Sequence, residues 1–529
     1  MDIIWLNPIF LSPNDDNGYD ISDYREIMRE FGTMEDFDRL LKEIHKREMR
    51  LVLDLVVNHT SDEHPWFEEA RKSRHNPYYN YYHWWPAEKG EPPLRLSYFD
   101  EEGNAWMYNK PTDSYYLHYF SRKQPDLNWE NPEIRQEIFD MMRFWFDKGI
   151  DGFRMDSISL IAKDPSFPLI DSKKYPDIFS FYAKEPRLHL YLHEMNRQVL
   201  SKYDCMSVGE GSAVMVDDVA KFVDPAREEL NMLYHFDAAR IRNTTLPDNP
   251  ESGIDYSLIA LKKMFTEWDK AIDKGWPSIY LGNHDQPRMV SRFGSDKDEF
   301  RALSAKMLIT FLLTMSGTPN GFAGDDIGMR NIRFDRIEDY NDIDTINRYK
   351  KAKAEGKDPQ AVLDEQKETG RDNARTPFQW DRSPEAGFTA GTPWLKVNPD
   401  YTWINVADEE KDPTSILNYF KKVVSFRKEN PSLIYGSYHL LDAENPQCYI
   451  FLRKTGADTY LIMLNFSPKA AISTPGIDMS NAHVLLDNYG DRSHMAPQKD
   501  ITLRPFEAIV FQLNHPVYES FIDSLDLLE

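Results

Sequence analysis

A chain of 529 residues with an apolar share of 41% can bury a large core, and its length predicts two or three domains. Its net charge of −24 argues against nucleic acid or an anionic membrane surface as a partner and is compatible with an uncharged one. Only two cysteines occur, Cys205 and Cys448, so we expect neither a disulfide framework nor a cysteine-based metal site. The apolar run around Cys205 predicts a buried thiol.

The sequence has no apolar run that approaches the roughly 20 residues needed to cross a bilayer. No signal peptide is recognisable at its start. Together with the low cysteine content, these observations lead us to expect a cytoplasmic location and no membrane partner.

The first part of the chain alternates strand-like and helical patterns. Residues 2–6 form an apolar run typical of a strand. Thr33 and Asp36 have the spacing of a capping pair for a helix, and one face of that helix carries Phe37, Leu40, Leu41 and Ile44. Residues 51–57 form an apolar strand that only Asp54 interrupts, which indicates burial on both faces.

Two long stretches break this alternation. Residues 61–124 are rich in proline, tryptophan and tyrosine and have no helical period. A connection that long predicts a small inserted domain, which we place at residues 61–128, after the strand at residues 51–57. Residues 326–400 are charged and loop-rich, with one helical piece near 342–354.

Helix–strand alternation resumes after the insertion. A helical face carries Ile134, Ile138, Met141 and Trp145, Gly149 ends that helix, and residues 150–156 form the next strand. A last helix is marked by Ile416, Tyr419, Phe420 and Val423. After about residue 437 the apolar period becomes two: 449–453 and 460–466 form a hairpin and 501–513 adds a strand, which predicts an antiparallel β domain.

Four short segments end strand-like runs with polar or ionisable side chains. They are DLVVNH at 54–59, GFRMD at 152–156, VGE at 208–210 and NHD at 283–285. A parallel barrel delivers the carboxyl ends of its strands to one mouth, so these side chains are expected to meet there. Arg154 and Asp156 share a strand face, and a guanidinium at that distance favours an ionised Asp156.

These segments, in this order and wording, closely resemble the four signature segments of the α-amylase superfamily of glycoside hydrolases. The resemblance implies an α/β fold, a (β/α)8 TIM barrel, formed by residues 1–60 and 129–436, with the inserted domain at 61–128 and a C-terminal β-sandwich domain at 437–529. It implies that Asp156 is the nucleophile, that Glu210 is the general acid, and that Asp285 supports the transition state.

The same resemblance implies that His59 and His284 hydrogen-bond hydroxyls of one sugar ring. Metal ligation by these histidines is the alternative, and no cysteine or third histidine lies nearby at ligand spacing. Family members carry about one further β/α unit before this point, with an Asp-rich loop that often binds Ca²⁺ or Mg²⁺. We therefore expect a chain that lacks the first unit of the barrel and has no metal or other cofactor.

Three more stretches resemble the exo-acting oligo-1,6-glucosidase and α-glucosidase branch: SPNDDNGYD at 12–20, QPDLNW at 124–129 and RDNARTP at 371–377. The resemblance implies that Asp16, Tyr19 and Arg371 close the blind end of a pocket around the terminal glucose, with Tyr19 stacked on its ring. The function implied is a retaining exo-α-glucosidase acting on short oligosaccharides, as a monomer or weak homo-oligomer.

The sequence departs from the family pattern in three places, and two of these bear on the activity. Ser157 follows the nucleophile, where α-1,6-preferring members usually carry valine, so its small hydroxyl favours α-1,4 or sucrose-type bonds. Residues 240–244 read RIRNT, where the isomaltulose synthases carry RLDRD, which favours hydrolysis over isomerisation. Residues 322–326, FAGDD, also differ from the family pattern, and we attach no function to that difference.

Four alternatives stay open. They are a sucrose isomerase or transglucosylase on the same scaffold, an oligo-1,6-glucosidase with strict α-1,6 preference, a non-catalytic ectodomain like that of transporter heavy chains, and a barrel that cannot close without its first strand. The last would leave an unpaired sheet edge. All three carboxylates and both histidines are present, which disfavours the non-catalytic alternative.

Overall fold

A computed structural model of the protein describes residues 1–99, 103–175, 177–241, 257–456, 458–492 and 499–513. The described residues group into two compact units. Unit 1 consists of Met1–Phe236, Ala271–Trp276 and Asp342–Pro359, and unit 2 of the described residues in Asp237–Lys270, Pro277–Asn341 and Gln360–Glu529. The domain boundaries that we place at residues 61, 129 and 437 stay a prediction.

Helices are distributed along the whole described chain. The α-helices are α1 (Met34–Lys46), α2 (Pro65–Ala70), α3 (Pro132–Lys148), α4 (Phe179–Tyr182), α5 (Arg187–Gln198), α6 (Val219–Val223), α7 (Asp237–Arg240), α8 (Leu258–Ala271), α9 (Met289–Phe293), α10 (Arg301–Thr314), α11 (Ile343–Ala354), α12 (Pro359–Thr369), α13 (Asp372–Arg375), α14 (Val406–Glu409), α15 (Ile416–Glu429) and α16 (Ser432–Tyr435). Among the described residues, none of these helices combines the length and the apolar character that crossing a membrane requires.

Unit 1 is built on a parallel sheet. The strands of unit 1 are β1 (Ile3–Leu6), β2 (Phe10–Leu11), β3 (Asp23–Ile27), β4 (Arg50–Val56), β5 (Trp84–Pro86), β6 (Trp106–Asn109), β7 (Ser114–Leu117), β8 (Gly152–Asp156), β9 (Met206–Gly211) and β10 (Met232–His235). The sheet has the order β1-β4-β8-β9-β10, and every neighbouring pair is parallel. Strands β4 and β8 are almost entirely buried, as expected when helices cover a parallel sheet.

Local signals define the helices between these strands. Thr33 and Asp36 form the predicted capping box of α1, and Phe37, Leu41 and Ile44 are its buried face. The prediction for Leu40 was wrong: its side chain is 42% exposed, because the part of α1 that is covered is narrower than the apolar pattern. Helix α3 buries its predicted face and ends at Gly149.

The segment after β4 carries a small antiparallel sheet in the order β5-β7-β6. Some of its aromatic residues form a core together with α4, in which Trp106, Tyr119 and Tyr182 are buried. The structure also has a helix, α2, that the periodicity did not predict. His64 caps its first turn and Pro65 is its first residue, so the signal was in the cap rather than in the period.

Unit 2 contains a short parallel pair and a larger antiparallel region. Its strands are β11 (Ser278–Tyr280), β12 (Thr318–Asn320), β13 (Ser437–Leu441), β14 (Cys448–Thr455), β15 (Asp458–Asn465), β16 (Ala471–Ser473), β17 (His483–Asp487), β18 (Ile501–Leu503) and β19 (Ala508–Leu513). Strands β11 and β12 are parallel, whereas β13-β14-β15-β19-β17 and β16-β18 are antiparallel sheets.

The predicted hairpin is β14 with β15, paired along eight residues each. Side chains from both antiparallel sheets, such as Ile450, Met463 and Leu503, form one buried cluster. Residues 501–513, predicted as one strand, form two strands with different partners. The predicted burial of Cys205 was also wrong, since this thiol is only half-buried.

Candidate active site

The register of unit 1 places the motif residues on one face of the parallel sheet. Asp54 of β4 lies opposite Arg154 of β8, and Arg154 lies opposite Val208 of β9. Residues two apart on a strand point the same way, so Asp156 shares the face of Arg154 and Glu210 shares that of Val208. On β10, Tyr234 lies opposite Glu210 and completes this face.

Arg154 donates hydrogen bonds to most of the polar side chains on this face, and we call this group the Arg154 cluster. Its Nη1 donates to Asp54 Oδ1 and to Asp156 Oδ1, each at 2.8 Å, and its Nη2 donates to Glu210 Oε2. Its Nε donates to the Tyr234 hydroxyl at 2.8 Å. The Arg154 side chain is fully buried, while those of Asp156 and Glu210 keep exposures of 10% and 6%.

Aromatic rings surround the same guanidinium. The Arg154 Cζ lies 4.9 Å from the ring centroid of Trp5, 5.8 Å from that of Tyr19 and 5.5 Å from that of Tyr234. The ring faces attract the cation and exclude water around it. Arg154 is therefore fixed in position before any ligand binds.

The electrostatics of the cluster follow from three carboxylates around one cation. Burial raises the pKa of Asp54 to about 6, although Arg154 and the Tyr19 hydroxyl lower it. Burial opposes the charge of Arg154, but the Asp54 and Glu210 carboxylates outweigh this and hold its pKa well above the usual range. Asp54 thus binds a proton more readily than a free aspartate.

The predicted residues Asp16, Tyr19 and His59 form a second, adjoining group. The Tyr19 hydroxyl donates to Asp54 Oδ2 at 2.9 Å, which joins this group to the Arg154 cluster. Gln124 Nε2 donates to Asp16 Oδ2 at 2.9 Å and lies 3.3 Å from His59 Nε2. All of these side chains are almost fully buried.

Ser157, directly after β8, has a left-handed backbone with φ of 42° and ψ of 32°. Its backbone N–H donates to Glu210 Oε2 at 3.2 Å. Left-handed backbone is unfavourable for residues other than glycine, so the turn stores strain where the strand ends. The turn brings the residue after the predicted nucleophile against the predicted general acid.

In unit 2, Asp285 is held by three cationic or potentially cationic side chains. Arg375 Nη2 donates to Asp285 Oδ1 at 2.8 Å, Arg371 Nη1 donates to the same oxygen at 3.2 Å, and His284 Nε2 lies 3.2 Å from Asp285 Oδ2. Burial raises the pKa of Asp285, but His284 and the two arginines hold it well below the usual range. Asn283 Oδ1 accepts the Asp285 N–H at 2.9 Å and fixes the turn.

The predicted site residues thus fall into two groups, one in each compact unit. Unit 1 contains Asp16, Tyr19, His59, Arg154, Asp156 and Glu210, and unit 2 contains His284, Asp285 and Arg371. Sequence reasoning missed four contributors: Asp54, Gln124, Tyr234 and Arg375. Asp54 had a signal, as an acid within a buried strand, and Gln124 and Arg375 lie in motifs already singled out; Tyr234 had none.

Metal binding has no support among the described residues. No group of three or more histidine, cysteine, aspartate and glutamate side chains in them is arranged to hold an ion. Cys205 and Cys448 are free thiols. The RIRNT stretch, on which the choice between hydrolysis and isomerisation partly depends, lies outside the described residues from position 242 onward.

The chain is similar to known carbohydrate-active proteins along nearly its whole length. Residues 1–436 match the family model "Alpha amylase, catalytic domain". The oligo-1,6-glucosidase of Parageobacillus thermoglucosidasius is 50% identical over 527 residues, which are 98% of this chain and 92% of that protein. The oligo-1,6-glucosidase of Bacillus cereus is 47% identical, over 97% of this chain and 92% of that one.

Solved structures give the same picture. The trehalulose synthase from Pseudomonas mesoacidophila MX-45 is 41% identical, with a TM-score of 0.92. The match covers 97% of this chain and 92% of that one. The two proteins are therefore similar in sequence as well as in fold.

Proposed function

Because this chain belongs to the α-amylase family of glycoside hydrolases, we propose that it is a retaining exo-acting α-glucosidase, which removes terminal α-linked glucose from short oligosaccharides and disaccharides by double displacement. The predicted fold class, a (β/α)8 barrel with an inserted domain and a C-terminal antiparallel β domain, is confirmed by the same similarity. The single observation that supports the proposed chemistry most directly is Arg154, which bonds both Asp156 and Glu210.

In the first step, the Asp156 carboxylate attacks the anomeric carbon while Glu210 protonates the departing oxygen. Arg154 stabilises the negative charge of Asp156 through a buried hydrogen bond of 2.8 Å. In the second step, Glu210 takes a proton from water, and that water replaces Asp156 at the anomeric carbon. Two displacements at one carbon retain its configuration.

The Asp285 side chain is held in its ionised form. His284, Arg371 and Arg375 keep its pKa well below the usual range against the effect of burial. A carboxylate of this kind accepts hydrogen bonds from sugar hydroxyls and favours the positive charge that develops on the ring. We assign it the supporting role in the transition state, with His284 as a further hydroxyl ligand.

Exo specificity is assigned to Asp16, Tyr19 and Arg371, with His59 as a hydroxyl ligand of the same glucose. Support comes from the fixed geometry of Asp16, which accepts from Gln124 and is only 4% exposed. The proposed partner is a small neutral oligosaccharide. The reaction needs no metal or cofactor, and we place the enzyme in the cytoplasm as a monomer or weak homo-oligomer.

A second candidate is a sucrose isomerase or transglucosylase on the same scaffold, which the similarity to a trehalulose synthase favours. Linkage preference also has two candidates. Ser157 favours α-1,4 or sucrose-type bonds, whereas the relatives named oligo-1,6-glucosidase favour α-1,6. Incubation with maltose, isomaltose, sucrose and panose, followed by analysis of all products, distinguishes them: glucose release supports hydrolysis, and isomeric disaccharides from sucrose support isomerisation.

The mechanism is tested by the Asp156→Asn variant. We expect kcat to fall by several orders of magnitude, because the amide cannot act as a nucleophile and has nearly the same shape. Asp204→Asn, at a side chain that is 99% exposed, is the control for the loss of one negative charge. Near-normal turnover of the Asp156 variant would refute the assignment, and inversion of the first product in an NMR time course would refute double displacement.

A further inference from the structure

Lys163 is a buried cation to which the proposed mechanism gives no role. Its side chain is fully buried, seven residues after the end of β8. Its Nζ lies 3.0 Å from Asp126 Oδ2, which is equally buried, and donates to Asn58 Oδ1 at 2.6 Å. Asp126 and Asn58 belong to two of the motifs described above, QPDLNW and DLVVNH.

Lys163 decides which way the Asn58 amide points. An ammonium group only donates hydrogen bonds, so the Asn58 oxygen must face it. The Asn58 nitrogen then faces the other way, where it lies 3.1 Å from His59 Nδ1 and 3.3 Å from Asp126 Oδ1. The ion pair with Asp126 holds the ammonium in this position.

The orientation of Asn58 in turn selects the tautomer of His59. At Nδ1 the Asn58 N–H is the donor, so Nδ1 must accept and the ring proton must lie on Nε2. At Nε2 both partner types are present: the Tyr19 carbonyl at 3.1 Å accepts, and the Gln124 amide nitrogen at 3.3 Å can donate. Nε2 therefore suits either tautomer, and the choice is made at Nδ1.

We propose that Lys163 is a positioning residue that acts through Asn58 to hold His59 as the Nε2–H tautomer. An inverted Asn58 would present its oxygen to Nδ1 and stabilise the opposite tautomer, with Nε2 accepting from Gln124. The inference rests on the proposed function, in which His59 binds a hydroxyl of the terminal glucose. Lys163 then determines whether His59 offers that hydroxyl a donor or an acceptor.

Two further features fit this role. Burial lowers the pKa of His59 to about 3, with a smaller contribution from Lys163, so the ring is neutral and its tautomer matters. Lys163 acts on the ring through its charge, and Gln124, which lies 3.3 Å from His59 Nε2, also binds the Asp16 carboxylate. A neutral imidazole between fixed amides has its donor side set by hydrogen bonds alone.

The first test measures the tautomer without using activity. In histidine-¹⁵N-labelled protein, the His59 signals are identified by their loss in His59→Asn. We expect an unprotonated Nδ1 and a protonated Nε2 in the wild type and in Lys163→Arg, which keeps a donor-only cation. In Lys163→Met, by contrast, we expect the Nδ1–H form to appear beside the Nε2–H form. An unchanged tautomer in that variant would overturn the proposal.

Lys163→Met leaves Asp126 buried without its cation, which can prevent folding. The double variant Lys163→Met/Asp126→Asn avoids an uncompensated charge and also weakens the other contact that holds Asn58. It should show the Nδ1–H form with a normal circular dichroism spectrum. Retention of the wild-type tautomer in this folded variant would equally contradict the proposal.

The second test is a double-mutant cycle on kcat/KM. Misplacement of a binding group typically lowers it, so we expect Lys163→Met to lose roughly 10- to 100-fold in the wild-type background. In the His59→Asn background the same change should cost little, because its effect passes through His59. Losses that multiply independently would overturn the positioning role. A wild type without glucosidase activity would refute the proposed function and leave the tautomer result intact.

Discussion

A single guanidinium, that of Arg154, bonds three buried carboxylates: those of Asp54, Asp156 and Glu210. One positive charge would not balance three negative ones if all three carboxyls were ionised, and the low polarity of the surroundings penalises such an excess. Burial accordingly raises the pKa of Asp54 to about 6, and the Glu210 charge adds to this. Substitution of Arg154 would therefore affect every member of the cluster, and its effect could not be assigned to one carboxylate.

Ser157 allows a sharp test at the same scale. We expect Ser157→Val to raise the ratio of kcat/KM for isomaltose to that for maltose by about 10-fold, because the variant removes the hydroxyl beside the proposed nucleophile and adds apolar bulk there. Ser157→Thr is the matched control, since threonine has the shape of valine and keeps the hydroxyl.

Both substitutions place a β-branched side chain at φ of 42°, so both should destabilise the turn to a similar extent. The ratio between two substrates is independent of the fraction of active enzyme. Equal ratios for the two variants would remove the reason to connect Ser157 with linkage preference.

At the scale of elements, helix ends position the strands that carry the site. Helix α3 leads into β8, and Gly149 ends α3 with φ of 106°. The N–H of Gly149 donates to the carbonyls of Phe146 and Trp145 and closes the last turn. The direction of β8, and with it the position of Asp156, depends on this left-handed residue.

We expect Gly149→Ala to lower the free energy of unfolding by about 1–2 kcal/mol, which is the usual cost of a Cβ in left-handed backbone. A Cβ at this position would lie 3.7 Å from Leu41, so crowding adds nothing to that cost. Gly149→Asn is the control, because asparagine tolerates this conformation and should lose less. Urea unfolding at pH 7 measures both, and equal losses would contradict the conformational explanation.

At the scale of the whole molecule, buried acids make stability depend on pH. Asp325, in the FAGDD stretch that departs from the family pattern, accepts the Phe322 N–H at 2.9 Å. Burial raises its pKa to about 7 despite that bond and despite the charge of Arg288. The unusual stretch thus has a structural role, because the Asp325 side chain stabilises the turn by its hydrogen bond to the Phe322 N–H.

The pH dependence has a definite sign. The ordinary pKa of an aspartate is 3.8 and that of folded Asp325 is about 7, so the folded state binds this proton more tightly. The contribution of this proton to the free energy of unfolding is complete below the unfolded-state pKa of 3.8. It is lost as the pH rises through the folded-state pKa of about 7. Relative to Asp325→Asn, the wild type should lose about 1.4 kcal/mol per pH unit within this window.

Urea midpoints at pH 5, 6 and 7 for both proteins measure that difference. Asp204→Asn, at a fully solvated side chain, controls for the change in net charge and should parallel the wild type. If the difference in unfolding free energy between the wild type and Asp325→Asn stays constant over this range, burial does not raise the pKa of Asp325.

Local patterns were sufficient for much of this protein. The capping box of α1, the end of α3 at Gly149 and the β14–β15 hairpin depend on residues close in sequence, so their signals are complete within a short window. The motif carboxylates were recognisable because each ends a strand-like run. Leu40 and Cys205 were mispredicted because burial depends on what covers a side chain, and a one-dimensional period does not contain that information.

Only the tertiary structure decided which side chains meet. Arg154 reaches Asp54 and Glu210 because the parallel register sets β4, β8 and β9 side by side, across separations of 100 and 56 residues. The same holds for Lys163 and Asn58, which are 105 residues apart. The sequence by itself determined the chemistry of the ends of the strands; the alignment of one strand with the next, which is a balance of packing over the whole sheet, determined the partners of each group.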